Sequence, residues 1–387
     1  MSEPTVLLLG ELAAKDNPAV EVVRRVDAKP LGVPDWDKSR EVFRRPGLLA
    51  AIFPSSLKGF QELCVEVRSD LCVVDLPLIA VVPSPWDPQL DRLFMFAIDD
   101  FIAGDSYEAL EPKLLALRRG NPWTNLNPES GRVIVADQDR SRRVLYGRML
   151  RRRGLGVDFA SDVDEVWRMA PRSDDVRLII AATDLPPEGA KAALDQAGAA
   201  ETISASTPWI ICGDTEALEA IETATASTAP LRLFNNAEPP GGLLFLVNEL
   251  LSPPPANVRK SPRVLYGGPA TFRVVGSRHL IPAFTYNINR TGVFIRTLVP
   301  PPTGSELIIE LRPPFGEGRV RVYGKVVWRK ECSQEGGPMV PTGMGIIYTE
   351  LPLADGAALD AGYMALLNAA PGRRTSNVDE VVREPDA

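Results

Sequence analysis

At Ser252–Asn257 the chain reads SPPPAN, whose consecutive prolines predict a stiff extended spacer, and the hydrophobic pattern differs on its two sides. Upstream, short continuous apolar runs alternate with segments of helical spacing. Between residues 133 and 251, VIVA, GVDFA, RLIIAAT, PWIICG and PLRLF read as strands, and RSRRVLYGRMLRRRG, AALDQAGAA, TEALEAIETA and GGLLFLVNELL as helices. Asp139 is placed to cap the first of these helices and Gly154 to stop it. Strands joined by helical crossovers form a parallel sheet, and burial on both faces explains apolar runs that do not alternate with polar residues. Residues 5–117 repeat the scheme, with VLLLG, LLAAIF, LIAVV and FIAG as strands and DKSREVFRR, LKGFQELCVEV and YEALEPKLLALRR as helices. Downstream the helical period is lost. ATFRVV, YNINRTGVFIRT, SELIIELR, RVRVYGKVVWRK and MGIIYTEL, separated by Pro/Gly turns, predict a small antiparallel barrel, and ALDAGYMALLNAA a closing helix.

The predicted fold class is therefore multidomain: two α/β doubly wound units followed by a small antiparallel β-barrel with a C-terminal helix. A second break, RRGNPWTNLNPESGR, is rich in Asn, Pro and Gly and separates the two α/β units. The expected division is 1–120, a linker at 121–132, a second unit at 133–251, the spacer at 252–257, the barrel at 258–370 and a polar tail at 371–387. A length of 387 residues suffices for three such cores.

Composition narrows the chemistry. A net charge of −7 argues against general nucleic-acid binding. One histidine, His279, excludes any site that needs two, and the cysteines Cys64, Cys72, Cys212 and Cys332 form no CxxC pair, so zinc ribbons and thioredoxin-like chemistry are out. Scattered thiols of this kind are expected to be buried in a reducing compartment. The start, MSEPTVLLLGELAAKDNP, lacks a basic region and a long apolar run, and no segment approaches the roughly 18 apolar residues of a membrane span. A cytoplasmic protein is expected. No phosphate-cradling P-loop, nucleophile elbow, or cyclase or phosphodiesterase motif occurs, so no enzyme activity is expected.

VIVADQDRSRRVLYGRML has the layout of the first strand, acidic loop and first helix of bacterial receiver domains, and the second unit resembles that flavodoxin-like family over about 120 residues. The resemblance implies a Mg²⁺-dependent phosphorylation site at the strand ends, and the residues here depart from it. Asp137 is followed by Gln138. The acceptor position falls on Ala182, Thr183 or Asp184 according to whether Pro186 or Pro187 is matched. Cys212 or Gly213 stands where receivers carry Thr or Ser, and PLRLFNNAEPP has no Lys. The first unit offers Glu11 after its first strand and Phe53 in place of the acceptor. Both units read as pseudo-receivers, whose last strand and neighbouring helices the resemblance assigns to docking protein partners. Arg140 to Arg153 holds seven arginines and no acid, either a solvated helix face or a partner surface.

In the barrel, RKSPR places Arg259 and Arg263 just after the spacer, and NINRTG places Asn287, Asn289 and Gly292 about two dozen residues on. With GKVVWRK and GMGIIY, this stretch resembles a PilZ domain, the bacterial cyclic di-GMP receptor family. The resemblance implies that these five residues bind cyclic di-GMP as a regulatory ligand, with no metal and no other cofactor. It also implies that binding orders the segment before the barrel and swings the α/β units. Guanidinium forks suit phosphates and guanine edges, and residues two apart on a strand share a face. Asn289 departs from the family's Ser. The wording GVFIRT and GMG, with the tandem units, is most similar to PilZ proteins of gliding myxobacteria, which implies a role in motility or cell polarity and recruitment to a pole by partners. A cyclic di-GMP-independent scaffold and a phosphorelay regulator are the alternatives. His279, in SRHLIP, is expected in a loop or strand away from the ligand.

Overall fold

The computed structural model describes residues 3–69, 73, 76–95, 98–104, 106–120, 131–151, 153–170, 176–199, 207–224, 230–238, 240–251, 261–316, 318–332 and 340–369. The first unit has strands β1 (Thr5–Leu9), β2 (Lys29–Val33), β3 (Leu48–Pro54), β4 (Leu78–Val82) and β5 (Asp100–Ala103), all parallel, in the order β2-β1-β3-β4-β5. Helices α2 (Trp36–Phe43), α3 (Phe60–Ser69) and α4 (Leu90–Met95) bury one face through Phe43, Leu63 and Leu93. Helices α1 (Pro18–Arg25) and α5 (Leu110–Arg119) bury the other through Val23 and Leu114. The sequence pattern does not announce β2: KPLGV carries a proline that only an edge strand tolerates, and β2 is the edge. Helix α1 starts on Pro18, with Asn17 accepting the Ala19 N–H at 2.9 Å.

The second unit repeats this arrangement. Strands β6 (Arg132–Ala136), β7 (Gly156–Ala160), β8 (Val176–Ala182), β9 (Trp209–Gly213) and β10 (Leu231–Asn235) lie in the order β7-β6-β8-β9-β10. Helices α6 (Arg140–Arg151) and α10 (Pro240–Leu251) cover one face, and α7 (Val163–Met169), α8 (Gly189–Ala199) and α9 (Thr215–Ala224) the other. Numbered within each unit, both sheets read 2-1-3-4-5, the doubly wound order of the flavodoxin-like and receiver folds.

After the spacer, β12 (Pro269–Val274), β13 (Ile281–Asn289), β14 (Gly292–Arg296), β15 (Glu306–Leu311), β16 (Val320–Lys330) and β17 (Gly343–Glu350) are antiparallel. They close into a six-stranded barrel because β13 pairs with both β12 and β14. A two-residue strand, β11 (Val264–Leu265), pairs with the far end of β13. Phe272, Ile288, Ile295, Ile309, Val322 and Met344 fill the barrel, and α11 (Leu353–Ala369) packs Leu359 and Tyr363 against them.

The barrel wall facing the α/β units is buried on its outside as well. Phe284 of β13 enters the α2–α4 side of the first unit's core, and Leu298 and Cys332 join the α1–α5 side. Tyr286, Phe294 and Val340 join the α6–α10 side of the second unit. In the pairing of β13 with β14 the register skips Tyr286, a bulge that turns it and Asn287 toward the same side. The hairpin β13–β14 thus touches both α/β units.

Candidate functional site

Four of the five sequence-predicted nucleotide residues, Arg263, Asn287, Asn289 and Gly292, lie at one corner of the barrel. Val264 pairs with Ile288, so the antiparallel register sets Arg263 beside Asn289, and Asn289 pairs in turn with Gly292. Asn287 is 4% exposed on the same strand. Arg259 lies outside the described residues. Asn289 Oδ1 accepts the Thr291 N–H at 3.1 Å and the Thr291 hydroxyl at 3.4 Å, bracing the β13–β14 turn as an Asx turn and leaving the amide N–H groups to donate. A serine hydroxyl can make the same type of turn, so the Asn substitution keeps the local geometry. Gly292 is required by the barrel itself, since a Cβ there would collide with the Ile346 carbonyl oxygen on β17.

Sequence reasoning missed two contacts that tie down Ser261 and Pro262 and a third that anchors Arg290 to α11. Ser261, between the two motif arginines, accepts the Arg290 backbone N–H at 3.3 Å. The Tyr363 hydroxyl on α11 donates to the Pro262 carbonyl at 2.9 Å. The Arg290 guanidinium pairs with Asp360 on α11 at 2.8 Å and reaches the Met364 sulfur. These partners lie 29 to 101 residues apart in sequence, and no local pattern marks them.

In the second unit the strand-end acidic site is filled by the protein's own cation. Asp137, 3% exposed, accepts Arg142 Nε at 2.6 Å and Nη2 at 3.0 Å, and its backbone carbonyl accepts Arg143. The hydrogen bond from Arg142 to the Asp137 carboxylate raises the Arg142 pKa further. Gln138 donates to Asp184 Oδ2 at 2.9 Å. Ala182 ends β8 opposite Cys212, a fully buried thiol whose pKa desolvation raises. Asn236 follows the last strand and accepts the Tyr146 hydroxyl at 3.2 Å. Among the described residues no cluster of three or more metal-ligating groups occurs. In the first unit the equivalent strand ends carry Gly10, Glu11 and Pro54 beside an open crevice of about 540 Å³ that also meets Arg40, Lys58 and Glu62.

The arginine-rich helix is neither a wholly solvated face nor a free one. Arg142 and Arg143 hold the Asp137 loop, Arg151 donates to the Val157 carbonyl and stacks 5.0 Å from the Phe159 ring, and Arg153 is 2% exposed. Arg152 lies outside the described residues. Cys64, Cys212 and Cys332 are buried free thiols, and Cys72 lies outside the described residues. His279 is exposed in the β12–β13 loop, its N–H donating to Ser277 Oγ.

Between the first unit and the barrel the seam is charged as well as apolar. Asp100, fully buried, accepts Lys113 Nζ at 2.6 Å and, across the seam, the Leu298 N–H at 2.9 Å. The Arg296 guanidinium sits 5.2 Å from the Phe94 ring and 5.4 Å from the Phe284 ring, and burial lowers its pKa against the opposing pull of Asp99 and Asp100. Asp99 is tied to Arg68 at 2.8 Å. Arg312 reaches Asp91 on α4 at 2.6 Å, and Arg319 stacks 4.6 Å from the Trp86 ring. In the first unit, therefore, the last strand and α4 face the chain's own barrel. At the second seam, burial lowers the Lys330 pKa to about 7, while its Nζ donates to the Val340 carbonyl at 2.8 Å.

Comparison with known proteins places residues 257–364 in the PilZ domain family. No curated protein matches the chain. Among solved structures it is similar to the Bacillus subtilis inhibitor of motility MotI/DgrA, at 19% identity and TM-score 0.24, covering 30% of this chain and 57% of that one. It is also similar to the PilZ domain of Escherichia coli YcgR with c-di-GMP, at 12% identity and TM-score 0.23, covering 28% of this chain and 92% of that one. A two-component response regulator/GGDEF domain protein matches at 13% identity and TM-score 0.30, covering 64% of this chain and 98% of that one. Among the described residues no helix is long and apolar enough to cross a membrane.

Proposed function

Starting from a PilZ domain at residues 257–364, we propose that this chain is a non-enzymatic bacterial signalling adaptor. Its barrel binds cyclic di-GMP, and its receiver-like units act by contact with proteins and not by phosphotransfer. The observation that carries this reading is the corner where Arg263, just before β11, lies beside Asn289 and Gly292 of the β13–β14 hairpin, with Asn289 held by its own turn. Arg259 and Arg263 supply the guanidinium forks for phosphate and guanine, and Asn287 and Asn289 the neighbouring amides. A regulatory role in motility or polarity in the cytoplasm, with recruitment to a pole by partners, fits the resemblance of the barrel motifs.

The loss of phosphotransfer is supported by Arg142 on Asp137, where a receiver would hold a divalent ion, and by the apolar Ala182–Cys212 strand ends. Isothermal titration of the full chain with cyclic di-GMP tests the ligand. Saturable binding is expected, and Arg259→Ala or Arg263→Ala should abolish it. Absence of heat at tens of micromolar nucleotide would leave the barrel a scaffold for protein contacts. Labelling of Asp184 by acetyl phosphate with Mg²⁺ would return the second unit to the phosphorelay class.

A further inference from the structure

We infer that Arg290 is a third arginine of the nucleotide corner, parked on Asp360 of the C-terminal helix, and that an anionic ligand and Asp360 compete for it. The inference rests on the cyclic di-GMP reading above. Arg290 occupies the β13–β14 turn between Asn289 and Gly292, and its backbone N–H is bonded to Ser261, which lies between the two motif arginines. Its side chain can therefore reach the same corner as Arg263. In the resting chain the guanidinium is instead turned to α11, where Asp360 takes Nε at 2.8 Å and the Met364 sulfur takes Nη2 at 3.3 Å.

The arrangement has the properties of a parked group. Both partners of the ion pair are half exposed, with side chains 50% accessible, so the pair is weak and easily exchanged for a better anion. A cyclic dinucleotide brings two phosphates, each able to take a guanidinium bidentately, which a single exposed carboxylate on a separate helix does less well. The same helix holds the arginine segment through Tyr363 and Pro262, so transfer of Arg290 to ligand loosens one of two ties between α11 and the site. Asp360 is then a positioning residue that sets the resting state, and Arg290 a ligand contact.

The test is titration of the full chain with cyclic di-GMP at two or three salt concentrations, for the wild type, Arg290→Ala, Asp360→Asn and Arg263→Ala. Arg290→Ala is expected to weaken binding about tenfold and to flatten its salt dependence, as loss of a charge-assisted contact requires. Asp360→Asn is expected to tighten binding about two- to fivefold, the strength of an exposed ion pair. A gain cannot come from misfolding, so the second variant guards against a structural effect of the first. Arg290→Ala binding within twofold of wild type, while Arg263→Ala abolishes binding, would overturn the inference and leave the cyclic di-GMP reading standing. No binding by the wild type would overturn both.

Discussion

Replacing Phe284 by alanine tests whether the barrel and the first unit are one cooperative body. The phenyl ring is fully buried although it points out of the barrel that carries it, and it packs 4.7 Å from Phe101 on β5 and 5.7 Å from Phe94 on α4. It is also one of the two rings that flank Arg296. Phe284→Ala leaves a cavity bounded by two units that cannot collapse without moving the seam, so the cost belongs at the usual level for a core Phe, about 3–5 kcal/mol. With a urea dependence of about 2–3 kcal/mol/M the midpoint should fall by about 1–2.5 M. Val275→Ala, at a 52% exposed position on the β12–β13 turn, should stay within about 0.5 kcal/mol. Amide exchange locates the effect: Asp100–Ala103 should exchange faster in Phe284→Ala, and the sheet of the second unit should not. A loss under about 1 kcal/mol, or faster exchange in the barrel with β5 unchanged, would refute a shared core.

Three further outcomes follow from single groups. Lys330 has a folded pKa of about 7 against an unfolded value near 10.4, so the unfolded chain binds more protons between these values and stability should rise with pH across that window; Lys330→Met should remove about 1–3 kcal/mol of that rise between pH 7 and 9, read by urea unfolding. Arg142→Ala leaves Asp137 buried without its guanidinium and should cost about 2–3 kcal/mol by the same assay, an unchanged midpoint contradicting the role of Arg142 as the internal cation. The Tyr286 hydroxyl is buried with no hydrogen-bond partner among the described residues, so Tyr286→Phe should be neutral or stabilising by up to about 1 kcal/mol, and a loss above that would reveal a partner.

The parts of this architecture legible in the sequence are those that depend on local period. Unbroken runs such as RLIIAAT gave parallel strands and the alternation in RVRVYGKVVWRK gave barrel strands, whereas YNINRTGVFIRT, read as one run, is divided between β13 and β14. Strand β2 was hidden because KPLGV is read by tertiary position: its single neighbour makes Lys, Pro and Gly acceptable. The seam left two signals. Asp99 and Asp100 stand together at the start of a buried strand, where carboxylates persist only with partners, here Arg68, Lys113 and the Leu298 N–H. Strand β13 carries buried residues at both parities, Phe284 and Tyr286 outward and Ala283 and Ile288 inward, which a barrel wall facing water would not. The arginines of α6 misled because a run of one charge reads as surface, while their acceptors are a carboxylate, two carbonyls and a ring contributed by loops and strands of the same unit.

The same seam bears on how a ligand could act. The resemblance implies that nucleotide binding swings the α/β units, and that motion would have to withdraw Phe284, Tyr286, Phe294 and Leu298 from two foreign cores. At about 1.5–3 kcal/mol for each fully buried side chain, exposing the four costs about 6–12 kcal/mol, before the Asp100–Leu298 hydrogen bond is counted. A ligand held at micromolar strength has about 8 kcal/mol in total, and only its preference for one arrangement over the other can drive a change. The groups that move at lower cost are on the far side of the corner, where Arg290, Ser261 and Pro262 are tied to their neighbours by one exposed ion pair and two hydrogen bonds. Nucleotide addition should therefore alter amide exchange in residues 261–265 and in α11 while β5 and α4 stay protected. Loss of protection in β5 on ligand addition would mean that the seam yields and that the unit swing is the response after all.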